Sequence, residues 1–81
     1  MPSTTQEVKI YSTPSCHFCH MAKDYFKENN VAYTEYDVAS DMEKRKEMVS
    51  KSGQMGVPVI IIGDTLTVGF DKPKLAKLLG L

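Results

Sequence analysis

The run Val57-Pro58-Val59-Ile60-Ile61-Ile62 restricts this chain's fold more than any other feature, because six consecutive apolar residues leave no polar face to turn towards water. A run of this kind reads as an interior strand. Gly63-Asp64 separates it from Leu66-Thr67-Val68-Gly69, the spacing of a tight β-hairpin. A chain of 81 residues supports a single core. The remaining elements must therefore cover that sheet.

Glu7-Val8-Lys9-Ile10-Tyr11-Ser12 alternates, with Val8, Ile10 and Ser12 on one side, and predicts a first strand. Thr13-Pro14-Ser15 breaks the pattern. Phe18, Ala22, Tyr25 and Phe26, with Cys19 beside them, then fall at helical spacing, so a helix is expected from close to Cys16 to Asn29-Asn30. Residues 31–38 alternate again as a second strand, which completes a strand–helix–strand crossover. Ser40 and Glu43 form a capping-box pattern for a helix over residues 41–52, with Met42, Met48 and Val49 as its apolar stripe and Gly53 as its stop. Asp71 is placed to cap a last helix with Pro73 in its first turn, Leu75, Leu78 and Leu79 facing inward, and Gly80 at its end. The expected order is βαβαββα, an α/β fold in one domain over residues 1–81, with a flexible N-terminus at 1–6.

Ten Lys and Arg residues balance ten Asp and Glu, so the long-range field that gathers nucleic acid or an anionic membrane is missing. Lys44-Arg45-Lys46 is flanked by Glu43 and Glu47 and reads as an exposed helix face. The opening MPSTTQ has neither a basic nor an apolar region, and no run is long enough to span a bilayer. A cytoplasmic protein is expected, with no nucleic-acid or membrane partner and working as a monomer. In a reducing compartment, two closely spaced cysteines point to reactivity rather than to a structural disulfide.

Both cysteines lie in Cys16-His17-Phe18-Cys19, with His20 directly after. The C-x-x-C-H spacing matches covalent haem attachment, but that chemistry belongs outside the cytosol and needs a further axial ligand. A zinc site normally takes four ligands from separated pairs, and this chain offers one cluster. An iron-sulfur module would need thiols from a second subunit or a small molecule to complete the set with Cys16; it is carried as a second reading. The dithiol redox reading needs only a C-x-x-C where a strand meets a helix. There the helix N-terminus favours the thiolate of Cys16, which becomes the attacking sulfur, while Cys19, one turn deeper, becomes the resolving one. A protonated His17 would add to that effect. Phe18 is a candidate substrate contact, and His20 reads as an exposed imidazole.

"YSTPSCHFC" after a first strand, "SGQMGVPVIII" before a hairpin and "VGFD" before a last helix resemble the glutaredoxins. The resemblance covers about residues 7–80 and implies a thioredoxin-like fold, a four-stranded mixed sheet flanked by three helices, acting as a dithiol-disulfide oxidoreductase without metal or organic cofactor. It also implies a cis peptide at Pro58 beside the cysteines and extended pairing of substrate with the backbone of Val57. By the same resemblance Gly69, Asp71 and Gln54 match the segment that holds glutathione. Three departures bear on the electron donor. His17-Phe18 replaces the usual proline and tyrosine, Thr13 stands where a lysine would meet a glutathione carboxylate, and Phe70 adds bulk beside Gly69. These make the chain similar to glutaredoxin-like redoxins that take electrons from thioredoxin reductase and NADPH, and favour that donor over glutathione, with protein disulfides as substrates.

Overall fold

A computed structural model describes residues 7–81, so the expectation of a flexible segment at 1–6 lies outside the described residues. The elements are β1 (Val8–Ser12), α1 (His17–Glu28), β2 (Thr34–Asp37), α2 (Met42–Ser52), β3 (Val59–Ile62), β4 (Thr65–Val68) and α3 (Lys72–Leu79), in the expected order. The sheet runs β2-β1-β3-β4. β1 is parallel to β2 and antiparallel to β3, which is in turn antiparallel to β4. The apolar run is therefore interior, with β3 hydrogen-bonded on both sides.

Alternation along β1 and β3 sorts their side chains to two faces. Val8, Ile10, Ile60 and Ile62 pack with Ala22, Tyr25 and Phe26 of α1 and Leu75 and Leu79 of α3. Tyr11 and Val59 point the other way, where they meet Val38 and Met48. Tyr11 is buried although sequence alternation leaves it opposite the expected core side, because α2 covers the second face.

Three elements differ from expectation for identifiable reasons. β2 is confined to Thr34–Asp37, because Asn30 turns at φ 56 and the Val31 N–H bonds back to the Phe26 carbonyl at 2.8 Å. Residues 31–33 thus close α1 instead of pairing, and Val31 enters the core. The cap of α2 is Asp41, not Ser40: its carboxylate accepts the Lys44 N–H at 3.1 Å, and its charge suits the helix N-terminus. Ser40 is left outside in a turn organised by Asp37, whose carbonyl accepts the Asp41 N–H at 2.9 Å. That register leaves Met42 exposed, so the stripe of α2 reduces to Met48 and part of Val49. β4 begins at Thr65, directly after the Gly63-Asp64 turn, where Gly63 takes φ 60.

Candidate active site

Tyr11 pairs with Val59, and Val59 with Val68, so the end of β1, the start of β3 and the end of β4 lie at one end of the sheet. The cysteine loop, the Val57-Pro58 segment and the Gly69-Phe70-Asp71 segment all leave the sheet there. Pro58 lies one residue before the Tyr11–Val59 pair, and its carbonyl accepts the Gly69 N–H at 2.8 Å, which ties the last two segments together. The Val57-Pro58 peptide bond is cis. Gly69 turns at φ 84, a conformation that disfavours any side chain.

Cys16 is the N-cap of α1, and its sulfur accepts the Cys19 backbone N–H at 3.1 Å. In that position its Sγ meets one of the donors that the first helical turn leaves unpaired. Cys16 is partly accessible, whereas Cys19, one turn deeper, is fully buried. Burial, and then the hydrogen bond and charge of Cys16, push the Cys19 thiol up to about 12, while the backbone of Thr13 and the charge of Lys23 pull the other way. One sulfur is thus presented at a helix tip, and the other is held as a thiol behind it. The Thr13 carbonyl accepts the Cys16 N–H at 3.2 Å, so Thr13 serves the site through its backbone.

The remaining residues expected at the site are placed unevenly around it. His17 and Phe18 both face solvent and meet edge to face at 5.6 Å. Phe18 is 56% exposed and leaves the helical stripe to Cys19, Ala22, Tyr25 and Phe26. Val57 is half-buried ahead of β3, outside the strand ladder. Phe70 turns from the cysteine loop onto Tyr25 of α1, with ring centroids 6.0 Å apart. The Asp71 carboxylate caps α3 by accepting the Lys74 N–H at 3.2 Å. Gln54 closes on its own loop, its side-chain amide bonded to both the N–H and the carbonyl of Gly56. His20 folds back to donate from Nε2 to the Pro14 carbonyl at 2.8 Å, so the residue that completes the haem-like spacing braces the loop.

A polar cluster near the cysteines belongs to no sequence motif. The Ser12 hydroxyl donates to Glu35 Oε2 at 2.8 Å, and Lys23 Nζ donates to the same oxygen at 2.7 Å. These bonds hold the Glu35 carboxyl below the usual carboxylate range, Lys23 first and Ser12 second. The sequence signal was Lys23, four residues after Cys19 on the helix. Among the described residues no three His, Cys, Asp or Glu side chains converge as a metal site, and no helix is long and apolar enough to cross a membrane.

The sequence pattern that defines the Glutaredoxin family matches residues 8–67. An uncharacterized glutaredoxin-like 8.6 kDa protein from the rubredoxin operon of Clostridium pasteurianum is 47% identical over 72 residues, covering 89% of this chain and 96% of that one. Among solved structures, a thioredoxin-like protein superposes with a TM-score of 0.84 at 32% identity, over 89% of this chain and 99% of that one. The glutaredoxin-like NrdH-redoxin of Escherichia coli, described as having a thioredoxin-like activity profile, superposes at 0.78 with 25% identity, over 89% and 93%.

Proposed function

The chain belongs to the glutaredoxin family, whose function is thiol-disulfide redox exchange, and from that membership we propose that it reduces protein disulfides through a two-cysteine cycle. The observation that carries this reading is the asymmetry of the pair: Cys16 is accessible at a helix N-terminus, and Cys19 is buried and protonated behind it.

In the first step the Cys16 thiolate attacks one sulfur of the substrate disulfide, and the other substrate sulfur departs as a thiolate that takes up a proton. The Cys19 N–H directed at Sγ favours the attacking charge. In the second step Cys19 gives up its proton and attacks the Cys16 sulfur of the mixed disulfide. The second substrate sulfur leaves reduced, and a Cys16–Cys19 disulfide remains. Substrate docks as an extended segment along the backbone of Val57, with Pro58 and Gly69 forming the floor and Phe18 an exposed apolar edge.

The electron donor in this reading is thioredoxin reductase with NADPH rather than glutathione. Thr13 supplies no cation for a glutathione carboxylate, and Gln54 is engaged with its own loop. The thioredoxin-like profile stated for the NrdH-redoxin supports the same choice.

Trapping tests the cycle. Cys19→Ser should accumulate a mixed disulfide with a disulfide-bonded protein substrate, and Cys16→Ser should accumulate none. If neither variant, or only Cys16→Ser, is trapped, the assigned roles are wrong. Recycling of the oxidised protein by thioredoxin reductase with NADPH, faster than by glutathione with glutathione reductase, would support the donor assignment.

A further inference from the structure

The second step of that cycle requires an anion where the fold disfavours one, because Cys19 is fully buried. Lys23 follows Cys19 by one turn on the same side of α1, and its side chain is only 15% exposed. Its ammonium is pinned at 2.7 Å to a Glu35 oxygen that also accepts the Ser12 hydroxyl, so β1, β2 and α1 all fix its position. Ser12 is itself buried immediately before the cysteine loop. An exposed lysine pair of this kind is worth little to stability. Here the Lys23 side chain is sheltered although Glu35 is exposed, and Lys23 sits one helical turn from the residue whose sulfur must ionise.

We propose that Lys23, positioned by Glu35 and Ser12, supplies the positive charge that stabilises the Cys19 thiolate as it attacks the Cys16 sulfur. The proposal rests on the two-cysteine cycle. In the step concerned, the Cys19 S–H bond breaks, the Cys19–Cys16 bond forms and the bond from Cys16 to the substrate breaks. The departing substrate thiolate takes up one proton in place of the one Cys19 released, and Lys23 keeps its own throughout.

The surroundings agree in sign. Of the charged groups acting on Cys19, Cys16 opposes its ionisation and Lys23 favours it. Around Lys23 stand Glu35, Tyr33 and Cys19, and the hydrogen bond to Glu35 is the main reason its ammonium is held above the usual lysine range. Lys23 acts on Glu35 both through its hydrogen bond and through its charge. Lys23 therefore remains protonated across the working range of pH.

The test follows a mixed disulfide of Cys16 with a small disulfide peptide by rapid mixing, in wild-type protein and in Lys23→Met and Lys23→Arg. A tenfold fall in Cys19 acidity cuts its thiolate fraction about tenfold, and the greater nucleophilicity of the more basic thiolate returns part of this, leaving a roughly three- to fourfold slower second step. Lys23→Met should show that slowing with the first step unchanged, and its second step should need a higher pH to recover. Lys23→Arg should behave like wild type. Should Lys23→Met lose its fold by circular dichroism, Lys23→Gln takes its place. An unchanged second step in the charge-removing variant, equal slowing of both steps, or slowing in Lys23→Arg matching Lys23→Met would overturn the proposal. Failure of the Cys19→Ser variant to trap any mixed disulfide would instead remove the cycle on which it rests, so the two failures are separable.

Discussion

Among the described residues, ten buried residues from β1, α1, β3 and α3 and the turn after α1 make a continuous apolar layer on one face of the sheet, whereas the buried cluster on the other, under α2, is Tyr11, Val38, Met48 and Val59. The second face compensates with polar contacts. The buried Tyr11 hydroxyl bonds to Glu47 of α2, which also pairs with Lys44 and Lys51, and Lys44 lies 4.2 Å from the Tyr36 ring centroid. The difference teaches where rigidity is concentrated. The helix that carries both cysteines is seated in the thick layer, and α2, which contributes neither cysteine, is held by one methionine and a set of charge contacts.

The largest expected effect is in that thick layer. Phe26 is fully buried and touches Tyr33 and Tyr25, so Phe26→Ala should cost about 4 kcal/mol by denaturant unfolding. Because a small domain has only about 5–15 kcal/mol in total, much of the fold would be lost with it. Met48→Ala removes a comparably buried side chain from the thin face and should cost about 2–3 kcal/mol, since neighbours under an exposed helix can close the gap. Equal losses at the two positions would break the contrast between the faces.

How much of this could be read in the sequence follows the same division. Apolar patterning specified β1, β3, α1 and α3, whose residues answer to burial alone, and the junction of strand and helix located Cys16 and Cys19. Patterning lost its hold where charge and turn chemistry decide. Ser40 and Asp41 are both acceptable caps, and only the turn built by Asp37 selects Asp41. The residues after Asn30 alternate like a strand, yet the left-handed turn there spends Val31 on closing α1. The Ser12–Glu35–Lys23 cluster joins three segments distant in sequence, and no local motif announces it. Phe18 matched the helical stripe by spacing alone, while its position one residue past the start of α1 turns it to solvent.

A smaller effect should separate packing from charge on the thin face. The Tyr11 bond is the chief reason the Glu47 carboxyl is held below the usual carboxylate range, with Lys44 and Lys51 adding to it. A carboxyl lowered in the folded state contributes stability that is present above its unfolded pKa and disappears as pH falls through the folded value. Tyr11→Phe keeps the ring and removes the bond, so it should cost about 1 kcal/mol at neutral pH. The gap to wild type should then narrow as Glu47 becomes protonated at acid pH, as measured by urea unfolding across the acid range. A gap of constant size would place the loss in packing of the ring rather than in the charged bond.

The smallest effect tests the outer side of the same helix. Met42 opens α2 at 58% exposure, so a substitution there removes almost no buried surface. Met42→Glu adds a negative charge to the first turn, where the helix dipole favours it by about 0.3–1 kcal/mol. Asp41 and Glu43 already place two carboxylates at this helix start, and their charge repels a third, which offsets part of that gain. The net change in thermal or urea stability should therefore stay within about 0.5 kcal/mol, on the stabilising side. A loss above about 1 kcal/mol would mean that something covers Met42, because no contact within the thin face accounts for a cost of that size at an exposed helix start.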